Sequence, residues 1–202
     1  MHSLLRLPPS VEASRPHSSD QTFYTKSKNM KSSILITVLL TTAGLVAPVN
    51  AANPSHVQQF LTTKKCRNCD LSKVDLRYMN LQGVDLTGAN LQGANLYRTD
   101  LRDSLLVGAD LREANLYSAD LRRADFSTAN LMRATLNEAD LRKATFRGAK
   151  LTRTTLNEAD LREADLQRAN LQDALLVSTE LKDTLLCQAI MPNGLEFKRG
   201  CE

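Results

Sequence analysis

The chain has 202 residues, no Trp and only 4% aromatic residues, so a hydrophobic core must be built mainly from Leu and Ala. Of its 26 basic and 22 acidic residues, five bases and two acids precede residue 52. The remainder carries 21 bases and 20 acids, so bulk charge does not indicate nucleic-acid binding and we expect no nucleic-acid partner.

Residues 1–29 are polar and rich in Ser and Pro, with no periodic pattern. Either translation starts at Met30 and this segment is spurious, or it is an additional targeting segment. Arg6 and Arg15 suit a transit peptide, whereas Glu12 and Asp20 do not. We favour a start at Met30, and in either case this segment does not contribute to the fold.

Residues 30–51 have the three-part pattern of a secretory signal peptide. A short basic start precedes an apolar stretch at 34–47, and Val49-Asn50-Ala51 supplies the small residues of a cleavage site. The pattern predicts export, a mature chain that begins at Ala52, and no stable membrane insertion after cleavage. An uncleaved anchor is the alternative, although the apolar stretch is short for a transmembrane helix.

Residues 52–68 are predicted to cap the segment that follows. Asn53-Pro54-Ser55 is a typical helix start, and the subsequent Val57, Phe60 and Leu61 fall on one helical face.

Residues 69–188 are a run of five-residue repeats. Every fifth position from 71 to 186 is apolar, with 22 Leu residues and two Phe residues, Phe126 and Phe146, in 24 positions. Two residues earlier, 15 of the 24 are Ala, and the residue just before the Leu is Asp ten times and Asn six times. The repeat unit is therefore Ala-[Asp/Asn]-Leu-x-x.

A period of five matches neither the helical period of 3.6 nor the strand period of two. A chain that turns a corner every five residues would instead bury both the Leu and the small residue. Asp and Asn suit such corners because their side chains accept hydrogen bonds from nearby backbone amides.

Units such as Ala109-Asp110-Leu111-Arg112-Glu113 resemble those of the pentapeptide repeat family, and the resemblance covers 69–188. It implies an all-β solenoid, a right-handed quadrilateral β-helix with four repeats in each of about six coils. At ~4.8 Å per coil the stack would be roughly 29 Å tall. Similarity to exported cyanobacterial and thylakoid-lumenal members implies the periplasm or the thylakoid lumen.

Residues 189–202 are predicted to form a C-terminal cap. The turn sequence Pro192-Asn193-Gly194 breaks the repeat, and the segment resembles the terminal motif of cyanobacterial members of the family.

Four cysteines follow the signal peptide, namely Cys66, Cys69, Cys187 and Cys201. The solenoid would separate the two pairs by almost six coils, on the order of 28 Å, which argues against a zinc site of four cysteines. In an exported chain we expect two local disulfides, Cys66–Cys69 and Cys187–Cys201. A redox role for the Cys-x-x-Cys motif is the less favoured alternative.

Steps of twenty residues place one outward column of bases beside a column of acids. The pattern predicts either a self-neutralising charge ladder or a flat recognition surface. This candidate interaction face comprises Asp100, Arg102, Asp120, Arg122, Asp140, Arg142, Asp160, Arg162, Glu180 and Lys182.

Apolar residues also occur at outward positions: Leu105, Val107, Leu175, Val177 and Leu185. The last three lie near the C-terminal end, where they predict either a partner or self-association site or local packing under the C-terminal tail.

The acids are spread evenly and no nucleophile motif or phosphate loop occurs, so we expect no enzyme activity and no cofactor or metal. The leading hypothesis is a structural or protein-interaction scaffold in an extracytoplasmic compartment, with another protein as partner. The resemblance also suggests a DNA-mimicking topoisomerase inhibitor, but the near-neutral charge and the export signal disfavour this alternative.

Overall fold

The computed structural model of the protein describes residues 52–198 and Cys201. Residues 1–29 and the predicted signal peptide, with its predicted cleavage before Ala52, lie outside the described residues. Within the described part of the chain, no helix has the length and apolar character needed to cross a membrane.

One helix, α1 (Pro54–Thr63), precedes the repeats. Its N-cap is Asn53, whose side chain accepts a hydrogen bond from the Ser55 N–H at 3.0 Å. Its C-cap is Lys64, which adopts the left-handed conformation and donates its N–H to the Phe60 carbonyl. Phe60 is buried against the first coil, so α1 covers the N-terminal end of the core.

The repeats form a β-helix in which each unit contributes one bridge residue. Parallel bridges join residues twenty apart, from Lys65↔Asp85 to Asn170↔Ile190, so four repeats make one coil. This confirms the right-handed quadrilateral β-helix expected of the sequence. The bridges begin before residue 69 and extend past residue 188, so the β-helix is slightly longer than the run of Leu repeats.

The interior is filled by the two apolar positions of each repeat. The Leu and Ala residues of the middle coils are almost completely buried. Phe126 and Phe146 occupy the Leu position in successive coils and stack with ring centroids 4.9 Å apart. Where Thr99 replaces Ala, its hydroxyl donates to the Leu76 carbonyl at 2.8 Å, which satisfies the buried polar group.

Each corner is a tight turn whose residue two positions after the Leu has a positive φ. Between Asn68 and Gln188 this holds at all 25 corners, of which 20 are not Gly. The Asp or Asn before the Leu supports the turn. For example, Asn170 Oδ1 accepts a hydrogen bond from the Gln172 N–H at 2.9 Å. The sequence prediction that these side chains bind corner amides is thus visible in the geometry.

Candidate interaction surfaces

The ten residues of the candidate interaction face lie in two adjacent columns of the solenoid, and eight of them form ion pairs. Arg102 binds the Asp100 carboxylate of its own repeat through Nη2 and Nε, at 2.6 and 2.8 Å. Its Nε also lies 3.4 Å from the carboxylate of Asp120 in the next coil. The same contacts recur in the following coils, whose own-repeat and next-coil pairs are Arg122–Asp120, Arg122–Asp140, Arg142–Asp140, Arg142–Asp160 and Arg162–Asp160.

Glu180 and Lys182 continue the two columns into the last coil, but no ion pair joins them in the part of the chain that the structure describes. The ladder therefore comprises four Asp–Arg pairs and ends one coil before the repeats do. We use "charge ladder" below for these eight residues.

Hydrogen bonds from arginine favour the ionised form of two of the ladder carboxylates, and the four Asp and four Arg residues balance in charge. The side-chain hydrogen bond from Arg102 holds the pKa of Asp100 below its usual value, and Arg162 does the same for Asp160. At the neighbouring corner, a hydrogen bond from Arg123 and a weaker contribution from Gln82 lower the pKa of Asp103 to about 2. The face consequently presents alternating positive and negative charges. Mimicry of DNA would need a continuous acidic surface instead.

A second surface, which sequence reasoning missed, is formed by aromatic side chains. Tyr97 and Tyr117 stack with ring centroids 5.7 Å apart and planes inclined by 13°, and Tyr78 meets Tyr97 edge-on at 5.4 Å. The Arg98 guanidinium lies 5.3 Å from the centroid of the Tyr97 ring. We call Tyr78, Tyr97, Arg98 and Tyr117 the tyrosine face. The signal was present in the sequence, because two of these tyrosines are twenty residues apart and so share a column.

The tyrosine face ends at a carboxylate. The Tyr117 hydroxyl makes a very short hydrogen bond to Glu138, and the Ser118 hydroxyl donates to the same carboxylate at 3.0 Å. The bond to Tyr117 lowers the pKa of Glu138 and raises that of Tyr117. Along this side of the solenoid the tyrosine face thus comes first, and two acidic residues of the same column, Glu138 and Glu158, follow it.

The cysteines form two local pairs, Cys66–Cys69 and Cys187–Cys201, with Cα–Cα distances of 5.2 and 5.0 Å. Cys66 and Cys69 point into the core and are 0% and 4% exposed. Among residues 52–198 and Cys201, no cluster of His, Cys, Asp and Glu side chains is arranged to hold a metal ion.

The last coil forms an exposed edge at the C-terminal end of the core. Leu175, Val177 and Leu185 are about half exposed or more. In the preceding coils the Leu N–H donates to a backbone carbonyl of the next coil, as Leu166 does to Leu185. The N–H groups of Leu176, Leu181 and Leu186 have no such backbone acceptor among the described residues. We call 175–186 the C-terminal edge.

The described residues of the C-terminal tail pair with the segment that follows this edge. Gln188 donates its N–H to Phe197 at 2.8 Å, Phe197 donates to Ala189 at 2.7 Å, and Ile190 pairs with Glu196 in antiparallel fashion. The apolar residues of the edge are therefore not all buried under the tail. Leu105 is also exposed and shares a face with Leu185, but it lies four coils away and is not part of this edge.

Comparison with known families gives a match to the model "Pentapeptide repeats", in eight copies that span residues 65–103, 94–131, 129–168 and 155–193. Comparison with curated protein sequences gives no match.

Several solved structures are similar. The plasmid-mediated fluoroquinolone resistance protein QnrB1 is 24% identical, with a TM-score of 0.47, over 56% of this chain. The match spans 57% of the length of that QnrB1 chain. The pentapeptide repeat protein Rfr23 from the cyanobacterium Cyanothece 51142 is 26% identical over 65% of this chain and 92% of its own, with a TM-score of 0.27. A thylakoid-lumen pentapeptide repeat protein from Arabidopsis thaliana is 32% identical over 52% of this chain and 63% of its own, with a TM-score of 0.21. Because all three TM-scores are below 0.5, the assignment of this chain rests on the repeat model.

Proposed function

Because the chain belongs to the pentapeptide repeat family, we propose that it is a non-enzymatic protein-interaction scaffold that works outside the cytoplasm, in the periplasm or the thylakoid lumen. The observation that carries this proposal is the contrast between the two sides of the coils. The inward side repeats the same Leu and small residues throughout. The outward side differs from face to face and places Tyr and Arg, residue types enriched at binding hot spots, together on one of them.

Two features support a location outside the cytoplasm. Residues 30–51 have the pattern of a signal peptide. All four cysteines in the described part of the chain are paired in local disulfides, which persist in oxidising compartments.

The surfaces divide between two kinds of contact in this proposal. The tyrosine face binds a partner protein, whereas the C-terminal edge binds a second copy of the chain. An exposed edge of backbone N–H and C=O groups is completed by another such edge, and a second copy supplies one with matching Leu and Val side chains. The charge ladder, whose charges are already paired, stabilises the solenoid and is not the contact surface.

A photo-crosslinking experiment in the native compartment tests this assignment. A photoreactive phenylalanine analogue replaces Ser118 beside the tyrosine face, Val177 in the C-terminal edge, or Glu163 next to the charge ladder as the matched exposed control. We expect position 118 to link to another protein, position 177 to link to a second copy, and position 163 to give no link.

The same cells are fractionated, and the protein is sequenced from its N-terminus. We expect the chain to start at Ala52 and to be found in the periplasm or lumen. A cytoplasmic protein that starts at or before Met30 and inhibits DNA supercoiling by a topoisomerase would contradict the proposal and support the DNA-mimic alternative.

A further inference from the structure

Arg98 differs from the other arginines of the solenoid. Eleven of the thirteen described arginines lie within salt-bridge distance of a carboxylate, and Arg168 donates to Gln188 at 2.9 Å. Arg98 makes neither kind of contact within 52–198 and Cys201, and its guanidinium rests over the Tyr97 ring. Its N–H groups are therefore available to a ligand from outside the chain.

The carboxylate that follows Arg98 in the same column does not satisfy this arginine. Glu138 lies two coils further along, and its oxygens accept hydrogen bonds from Tyr117 and Ser118. Arg98 lowers the pKa of Glu138 only as a weaker, through-space contribution.

Tyr78 is a second unusual residue at the same place. It occupies a corner with φ of 60°, and it is the only aromatic residue among the 25 corners, which otherwise carry Gly or polar side chains. Its side chain is 65% exposed, so burial does not offset the cost of the left-handed conformation. A strained and exposed aromatic residue beside an unpaired arginine is a reason to look for a function.

From these observations we propose that the tyrosine face binds an extended segment of a partner protein that carries a carboxylate next to an apolar side chain. This inference rests on the scaffold function proposed above and specifies the chemistry of the partner. The planar guanidinium of Arg98 matches a carboxylate through two parallel hydrogen bonds. The rings of Tyr78 and Tyr97 supply rigid apolar area on either side.

The size of the face sets the length of the segment. The three rings follow the solenoid axis over about two coil spacings, roughly 10 Å, which equals about three residues of extended chain. The carboxylate of the segment lies at Arg98, on the side facing Tyr78, because Glu138 and Glu158 would repel it on the opposite side.

Tyrosine fluorescence gives a direct readout of this face. The chain has four Tyr and no Trp, and the only Tyr of the mature protein are the three in the tyrosine face. The probe is a capped nine-residue peptide of repeating Glu-Pro-Leu, and the control peptide is its Lys-Pro-Leu counterpart. We expect a saturable change in emission with the acidic peptide, and weaker binding as salt is raised because the contact includes a charge pair.

Substitutions locate the contact. Arg98→Gln should weaken binding of the acidic peptide by about tenfold or more, and Arg98→Lys by about threefold, because lysine keeps the charge but loses the two-pronged geometry. Arg153→Gln is the matched control, since Arg153 is also an exposed corner arginine but is paired with Asp173. It should leave the affinity unchanged.

Three results would overturn the inference: equal binding of the basic peptide, no effect of Arg98→Gln, or binding of inorganic phosphate as tight as that of the acidic peptide. If the peptide fails to bind while position 118 still crosslinks to a protein, the scaffold function stands and the proposed partner chemistry is wrong. If the peptide does not bind and position 118 does not crosslink to a protein, the tyrosine face is not a protein-binding surface and the proposed scaffold function is wrong there.

Discussion

At the scale of single residues, the Asp or Asn that precedes the apolar residue in 16 of the 24 repeats supports the corner that follows it. The Asn170 side chain accepts a hydrogen bond from the Gln172 N–H at 2.9 Å and makes no other side-chain hydrogen bond within the described residues. Similar bonds form at Asp70 and Asn90. These residues stabilise the turn locally, whichever face of the solenoid they occupy.

Asn170→Ala should therefore lower the free energy of unfolding by about 1 kcal/mol, the usual net value of one such hydrogen bond. Asn170→Asp keeps the acceptor oxygen and should change stability by less than about 0.5 kcal/mol. Urea unfolding of both variants measures the difference. Equal losses in the two would mean that the side chain does not support the corner.

The sequence predicts this bond from residue type, but it does not predict the backbone conformation beside it. Positive φ is unfavourable for residues such as Arg123 and Glu138, yet both adopt it. The stacked hydrogen bonds of neighbouring coils impose the conformation, and this influence from twenty residues away is not visible in a local sequence window.

At the scale of elements, the two ends of the solenoid are closed differently. Helix α1 covers the N-terminal end through Phe60, and the His56 ring nitrogen accepts a hydrogen bond from the Asp70 N–H at 2.9 Å. The C-terminal tail covers one side of the last coil and is joined to it by Cys187–Cys201. The helix was predictable from its Asn-Pro-Ser start, whereas the partial cover of the other end depends on tertiary pairing of 195–197.

The C-terminal disulfide should be present in the protein purified from its native compartment. Cross-linking residues fourteen apart in sequence contributes on the order of 3 kcal/mol by restricting the unfolded chain. Alkylation followed by intact mass should leave both Cys187 and Cys201 unlabelled without reductant and label both after reduction. Complete labelling of both without reductant would show that the tail is held by hydrogen bonds alone.

The charge ladder and the tyrosine face show what columns in the sequence can and cannot predict. Steps of twenty residues place Asp and Arg in adjacent columns, and the structure pairs them through four coils. The step also places Tyr97 above Tyr117, but it does not reveal that Arg98 forms no ion pair within the described residues. That property depends on how every neighbouring side chain is oriented.

At the scale of the whole molecule, one register decides which residues form the core and which form the surfaces. Bridges between residues twenty apart run without interruption from Lys65 to Ile190. A shift of this register would turn the tyrosine face and the charge ladder inward and would leave the proposed scaffold without its contact surfaces. The period of five predicts the register because only one choice buries both the Leu and the small residue.

Thermal unfolding of Ala144→Leu and Arg142→Ala tests that register most directly. Ala144 is completely buried in the core, whereas Arg142 belongs to the exposed ladder. Overpacking by Ala144→Leu should cost about 1–3 kcal/mol, and Arg142→Ala should cost less than about 1 kcal/mol because exposed ion pairs contribute little. A neutral Ala144→Leu together with a strongly destabilising Arg142→Ala would contradict the assignment of inward and outward residues, and with it the proposed interaction surfaces.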